Sequence, residues 1–233
     1  MCIRDSDTSD IANMRSNNVV VNATTVGTNS WNNAAFGVVN GAYSAITGAY
    51  DGGGFRPNSA QNFGATITGS LNSIESKTAS SNYSGIANSI VGVANRTFNS
   101  NGSLIYGAGN EITNSVEDIY SAPTSGGNSP EALAQNLRRV IKESNGGGST
   151  MAFGGGNRAD YTLRTAMIGV NNTVTGTSRR PSTYNSITGF KNVATNVNHV
   201  SIIGSENEIE NTDDALVPVS YTHLRAHETL RHL

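Results

Sequence analysis

Apolar and polar positions along this chain recur in a fixed frame. The stretch SIIGSENEIEN, Ser201–Asn211, reads aliphatic, any residue, glycine, two residues, asparagine, any residue, aliphatic, with Ile202, Gly204, Asn207 and Ile209 in those slots. The same frame fits Ile187, Gly189 and Asn192, then Met167, Gly169, Asn172 and Val174. Further upstream it fits Ile105, Gly107, Asn110 and Ile112, then Ile90, Gly92 and Asn95, then Ile67, Gly69, Asn72 and Ile74. Two weaker copies precede these: AITGAYD, with Ile46, Gly48 and Asp51, and AAFGVVN, with Ala35, Gly37 and Asn40. A chain built this way is a repeat protein, and the repeat dictates how every other residue is read.

Short runs rich in Ile, Val and Thr, separated by Gly and Asn, predict strand, turn, strand. Glycine supplies positive φ or close backbone approach, and asparagine tolerates the left-handed region while bonding its own backbone. Each copy is therefore expected to form one coil of an all-β parallel solenoid, with the aliphatics inward. Glycine spacings of 15 (Gly92 to Gly107, Gly189 to Gly204) and of 20 to 23 elsewhere fit coils with loops of variable length. One coil buries too few aliphatics to stand alone, so coil-on-coil stacking must supply the rest, and self-association is expected to add to it.

Between Gly107 and Gly169 the frame is interrupted. Within SAPTSGGNSPEALAQNLRRVIKESNGGGSTMAFGGG, Ser129 suits a helix N-cap, Pro130 the first helical position and Glu131 the positive end of the dipole. Leu133, Leu137, Val140 and Ile141 fall on one apolar stripe, with Arg138, Arg139 and Lys142 towards the C-terminal end and Asn145-Gly146 as the stop. A helix over about 130–144 is predicted. Its stripe must cover either the flank of the solenoid or a neighbouring chain, as a clip or as a receptor-contacting projection.

Composition narrows the class. Of 233 residues, 36% are hydrophobic, 14% charged and 6% aromatic, with 26 glycines. That excludes a thick core of large side chains, and equally a charge-rich disordered tail. A formal net charge of −2 offers no clustered Lys/Arg for nucleic acid, and no apolar run approaches the roughly 18 residues of a membrane-spanning helix.

The ends differ in style from the Asn/Gly/Ser-rich middle. MCIRDS and VSYTHLRAHETLRHL resemble peptides made by translating sequencing-adapter read-through in metagenomic assemblies, and are expected to be foreign to the natural chain. Without Arg4, Arg225, Arg231, Asp5 and Glu228 the chain retains 12 basic and 15 acidic residues. The foreign head holds Cys2, the one cysteine, which removes disulfide and thiol chemistry from the rest. The tail holds His223, His227 and His232; the first two stand at i, i+4, a spacing that would suit zinc on a helix, but the HExxH pattern is unmatched.

Other chemistry is equally faint. Gly52–Gly54, Gly146–Gly148 and Gly154–Gly156 lack the following Lys-Ser/Thr of a phosphate-binding loop. GGGNRAD has a calcium-repeat flavour but occurs once. Glu206, Glu208 and Glu210 are expected to alternate along one strand as a solvated face opposite Ile209, although paired carboxylates can also serve as acid and base. His199 reads as a surface residue, and Trp31 as packing in a terminal coil. Neither an active site nor a metal or cofactor site is expected.

The serial copies SIIGSENEI and SLIYGAGNEI resemble the head repeats of trimeric autotransporter adhesins, the YadA-like family. So do the stretches TMAFGGGNRADYTLRTAMIGVNNTVTG and NSITGFKNVATNVNHVSIIGSENEIEN. The resemblance covers roughly 19–217 and is dense after Ala65. It implies a left-handed parallel β-roll, three identical chains wound into one head, and attachment to a host matrix, glycan or cell-surface receptor. It implies no enzyme activity, no cofactor and no nucleic acid. The family's export signal, coiled-coil stalk and outer-membrane barrel do not appear in this sequence, so anchoring at a bacterial surface would depend on regions outside it. The resulting division is 1–6 foreign, 7–112 head repeats, 113–163 insertion, 164–217 head repeats and 218–233 foreign. The repeat turns are assigned to Gly48, Gly69, Gly92, Gly107, Gly169, Gly189, Gly204, Asn72, Asn95, Asn110, Asn172, Asn192 and Asn207. The repeat core is assigned to Ile46, Ile67, Ile90, Ile105, Met167, Ile187 and Ile202.

Overall fold

A computed structural model describes residues 23–34, 36–48, 61–76, 83–116, 129–143 and 148–225. The chain winds through two parallel sheets of ten strands each, visiting them alternately. The five-residue strands Thr66–Ser70, Ser89–Val93, Leu104–Ala108, Met151–Gly155, Ala166–Val170, Ser186–Phe190 and Ser201–Ser205 lie side by side in the first sheet. The three-residue strands Ser73–Glu75, Arg96–Phe98, Glu111–Thr113, Arg158–Asp160, Thr173–Thr175, Val193–Thr195 and Glu208–Glu210 follow them into the second. A third side is closed by short pieces, among them Thr162–Leu163 paired with Ser182–Thr183. This is a β-solenoid of one repeat per coil.

The frame explains the winding. In the first sheet the residue two before the glycine points inward: Ile67, Ile90, Ile105, Ala152, Met167, Ile187 and Ile202 are all fully buried and stacked in register. In the second sheet the residue five after the glycine does the same, through Ile74, Thr97, Ile112, Ala159, Val174, Ala194 and Ile209. Between them the chain turns at a left-handed residue two after the glycine, such as Leu71 (φ 60°), Ala94 (φ 57°) or Lys191 (φ 52°). The asparagine is therefore not the left-handed residue; it is the next one, and its side chain turns into the interior.

There the asparagines form a continuous amide ladder. Asn110 is representative: its Nδ2 donates to Asn95 Oδ1 (3.0 Å) and to the Gly154 carbonyl (2.8 Å), while its Oδ1 accepts from the Asn157 backbone N–H (3.0 Å) and Nδ2 (2.9 Å). Asn72, Asn95, Asn157, Asn172, Asn192 and Asn207 continue the column. An amide has two donors and a two-lone-pair acceptor, and here all are used. The glycine column makes room for it: a Cβ on Gly169 would stand 2.0 Å from the Gly189 carbonyl oxygen, and one on Gly189 1.7 Å from that of Gly204.

The two upstream copies lie in a different frame from the expected one. Gly48 is not in the glycine column; it sits at the corner after the second sheet, where a Cβ would meet the Ser76 carbonyl at 2.3 Å. Gly41 holds the column position instead, against Gly69, and Gly27 the one before it. Ile46 is buried, but it faces Ile74 in the second sheet rather than Ile67 in the first. The slip has a chemical cause. Ser44 and Ser30 occupy the asparagine slot, their hydroxyls bonding the carbonyls of Gly69 (2.9 Å) and Gly41 (2.6 Å), so the asparagine that marks the frame is missing there. Ala35 and Asp51 lie outside the described residues.

The span 113–163 holds both an excursion and a complete coil, Met151–Gly155 with Arg158–Asp160. Its inward residues are Ala152 and Ala159, which is why the aliphatic signal is faint. The excursion contains helix α1, Pro130–Glu143, whose Ala132 N–H donates to the Ser129 hydroxyl (3.1 Å) as an N-cap. Its stripe lies on the solenoid flank, with Leu133, Leu137, Val140 and Ile141 against Phe63, Tyr83, Ile86 and Ala87. Among the described residues no helix is long and apolar enough to cross a membrane.

Replacing Asn110 with alanine strips one coil of its amide, taking the acceptor from the Asn157 backbone N–H and from one Nδ2 hydrogen of Asn157, and the side-chain donor from the Gly154 carbonyl. The expected loss is about 3 kcal/mol in chemical denaturation. A loss below about 0.5 kcal/mol would mean that the ladder does not hold the coils together.

Candidate interaction surface

With the interior fixed, three sides remain to meet other molecules. On the first sheet the outward residues stand three before, one before and one after each glycine. From coil to coil they read Thr66, Thr68, Ser70; Ser89, Val91, Val93; Leu104, Tyr106, Ala108; Met151, Phe153, Gly155; Ala166, Ile168, Val170; Ser186, Thr188, Phe190; Ser201, Ile203, Ser205. None of these is charged. Tyr106, Ile168 and Ile203 are each more than half exposed, and Val93, Val170 and Phe190 are exposed as well. The Tyr106 and Phe153 rings stack at 6.5 Å. At the edge of this face the Lys191 ammonium lies 5.0 Å from the Phe190 ring centre. The face is thus uncharged and partly apolar, with large apolar side chains in water on several successive coils.

The second sheet is of opposite character. Glu75 receives the Nε and Nη2 of Arg96 at 3.0 Å each; Arg96 Nη1 reaches Glu111 at 2.9 Å, and Arg158 Nε stands 3.7 Å from the same carboxylate. The charges alternate up the sheet as Glu, Arg, Glu, Arg on successive coils. The Arg96 guanidinium holds the Glu75 carboxyl below its ordinary value, aided by the Ser73 hydroxyl and opposed by burial, and the Arg96 value is raised in turn by Glu75.

The third side carries a stack at its left-handed corner. Arg164 lies over the Tyr184 ring (5.3 Å), Tyr184 stacks on His199 (5.0 Å, 13° between planes), and His199 Nδ1 stands 3.4 Å from Asp214. His199 is thus a surface residue built into a column. Both faces of Tyr184 are occupied, so the ring offers no flat platform to a ligand. Over the earlier coils this side is covered by α1.

The remaining sequence candidates disperse. Glu206 is not in the strand of Glu208 and Glu210; it occupies the left-handed corner (φ 57°), because the glycine-plus-two slot always turns there. Its carboxylate accepts a hydrogen bond from the Tyr221 phenol, which raises that phenol's pKa. Trp31 is half-buried in the first strand of the second sheet. GGGNRAD forms the coil around Gly154 and Asn157. Among the described residues no group of three His, Cys, Asp or Glu could hold a metal ion. Residues 216–225 continue both sheets, with Val217 buried and His223 2.9 Å from Glu208. Cys2, His227 and His232 lie outside the described residues.

No family model matches the chain, and neither a curated protein nor a solved structure does.

Although self-association predicts that a lone chain exposes aliphatics along one side, the inward slots alone do not assign the residues of the first sheet's outward face. Its signal lies in the same frame: once the glycines are aligned, the slots on either side of them are empty of charge throughout.

Glu75 supplies a pH prediction. Its folded-state value lies below the ordinary carboxylate value of 4.5. The ion pair therefore contributes its full stability above that pH, and loses it as pH falls through the folded value. The expected result is a thermal midpoint that drops on acidification below about pH 4.5, with a shallower drop in Glu75→Gln; the partial exposure of both partners keeps the difference modest. Identical acid limbs in the two proteins would remove Glu75 from the account.

Proposed function

We propose that the chain is the head segment of a non-enzymatic bacterial surface adhesin. In this reading three copies wind together as left-handed parallel β-rolls and present three identical outer surfaces to a host matrix, glycan or cell-surface receptor. The observation that carries it is the uncharged, partly apolar outer face of the first sheet. A lone solenoid gains nothing from leaving Tyr106, Ile168 and Ile203 in water. A partner that matches the face over its whole length must repeat at the coil spacing, about 4.8 Å, and a second copy of this chain does so. The likeness of the repeats to trimeric autotransporter heads points the same way.

Attachment in this reading is multivalent. Each receptor contact is weak, and the assembly converts several of them into avidity through a high effective concentration. Chemistry at the receptor is not required, and the alternating ion pairs of the second sheet act as a soluble outward surface. A polysaccharide-active solenoid would instead need acids and bases facing one another across adjacent coils in a cleft; the Arg-Glu alternation here neutralises them.

Sedimentation velocity on the whole chain tests the reading. The expected species is a trimer, shifted to monomer by Ile168→Asp together with Tyr106→Asp, with far-ultraviolet circular dichroism unchanged. Thr195→Asp on the second sheet is expected to leave the trimer intact. Beads coated with the trimer are expected to be retained on a cultured epithelial monolayer at least roughly tenfold better than beads coated with the monomeric variant. A wild-type monomer at micromolar concentration would overturn the assembly, and equal bead retention would overturn the multivalent mechanism.

A further inference from the structure

A surface that repeats every coil poses a problem of registration. Two such faces can slide along each other by one coil and meet almost the same residues again, as a β-strand slips when its pattern is uniform. The first sheet breaks this uniformity in a specific way. Where the residue before the glycine is large, the residue after it is small: Tyr106 with Ala108, Phe153 with Gly155, Ile203 with Ser205. In one coil the order is reversed, Thr188 with Phe190. The coils of Gly92 and Gly169 carry branched aliphatics in both slots, Val91 with Val93 and Ile168 with Val170. Size is thus compensated in the four coils of Gly107, Gly154, Gly189 and Gly204, between two columns that run the length of the sheet, whereas the coil of Gly69 is small in both slots, Thr68 with Ser70.

Nothing in the single chain demands this. Gly155 has no left-handed φ, and a Cβ built on it would meet only the Ala108 carbonyl oxygen, at an ordinary 3.6 Å. A larger residue would fit the backbone, so the gap beside Phe153 is not a requirement of the coil. Phe190, conversely, is an exposed phenylalanine with no apolar neighbour to justify it within its own coil.

Resting on the self-association proposed above, we infer that neighbouring copies meet at zero axial shift. The column Val91, Tyr106, Phe153, Ile168, Thr188, Ile203 of one copy packs on the column Val93, Ala108, Gly155, Val170, Phe190, Ser205 of the next, and Phe190 is the residue that sets the register. At zero shift Tyr106, Phe153 and Ile203 meet Ala108, Gly155 and Ser205, the aliphatic pairs Val91 with Val93 and Ile168 with Val170 meet each other, and Phe190 meets Thr188. A slip of one coil in one direction brings Phe190 against Ile168 and Phe153 against Val170. A slip in the other brings Phe190 against Ile203 and Tyr106 against Val93. Both slips overpack some coils and leave voids in others, the combination that close-packed interfaces reject. The contact joins two different columns, so it is heterologous, and only at zero axial shift can it close into the ring of a cyclic trimer rather than run on as a filament. Steric rejection of the wrong neighbour, rather than added attraction to the right one, supplies the specificity.

Cysteine pairs read the register directly. All variants carry Cys2→Ser, so that introduced thiols alone can react. The pair Ile203→Cys with Ser205→Cys brings thiols together between copies at zero shift. The pair Thr188→Cys with Ser205→Cys does so only after a slip of one coil. After mild oxidation, cross-linked oligomers on a non-reducing gel are expected to be at least roughly tenfold more abundant for the first pair. Adding Phe190→Ala is expected to raise the second pair towards the first while sedimentation velocity still shows an assembly. An assembled protein that cross-links equally at both pairs, or at neither, or that ignores Phe190→Ala, overturns the register and leaves self-association standing. A monomer in the sedimentation run, with no cross-link at either pair, overturns the self-association itself.

Discussion

The Gly-to-Asn unit, a backbone carbonyl turned into a side-chain amide, is the interaction on which the other features depend. In each coil the asparagine three residues after the glycine donates to the carbonyl of the next glycine in the stack, at 2.6 to 2.9 Å from Asn72 through Asn192. That carbonyl occupies the space a Cβ would take on the glycine before it, so the glycine column is excluded from bearing side chains. Glycine and asparagine are therefore one device: the first vacates the volume and the second saturates what fills it. Breaking any rung leaves polar groups stranded away from water, at about 1–3 kcal/mol each, and the rungs share partners. The ladder is consequently cooperative along the axis, in the manner of stacked amides in tightly packed parallel sheets.

Because the ladder and the two inward columns satisfy the interior, the outward positions are released from folding duty and can diverge. The first sheet is uncharged, the second carries the Glu75, Arg96, Glu111, Arg158 alternation, and the third is partly covered by α1 and partly bordered by the Arg164, Tyr184, His199, Asp214 column. These are three different solvent-facing chemistries on one repetitive scaffold. An uncharged face and a charged face can coexist a few ångströms apart because neither is needed to hold the coils together.

The strong copies of the repeat were legible because their chemistry leaves a sequence mark. A glycine that must lack a Cβ and an asparagine that must be an amide admit few substitutes, and the aliphatics between them fill fully buried slots. The helix was legible for a similar reason: Ser129, Pro130 and the stripe from Leu133 to Ile141 are local signals. Where a substitute exists, the mark fades. Ser30 and Ser44 replace the amide with a hydroxyl, so the column glycines Gly27 and Gly41 carry no asparagine mark and the sequence pattern falls on Gly37 and Gly48 instead. Ala152 and Ala159 replace the aliphatics, and a whole coil hides inside an apparent insertion. The left-handed corners leave no consistent mark, since Leu71, Ala94, Arg164 and Tyr184 all adopt positive φ there. Stacked hydrogen bonds from neighbouring coils impose that conformation, overriding the residue's own preference.

The excursion between Ser115 and Gly148 shows how far this independence goes. Asn157 bonds Asn110 across 47 residues of chain with the same geometry that Asn110 shows to Asn95 across 15. The Ser115 hydroxyl stands 2.7 Å from that of Thr150, so the chain departs and returns at one corner. Stacking is indifferent to what happens between two coils, provided the ends of the excursion meet. Long surface insertions then cost little beyond loop closure, which grows only slowly with length. The helix did not remain an appendage, however: its stripe returns to Phe63 and Ile86, two and more coils earlier, and ties the excursion to the flank. A solenoid that takes an insertion at its corner while keeping the outward slots of its first sheet free of charge separates the side that accommodates extra chain from the side whose polarity stays uniform.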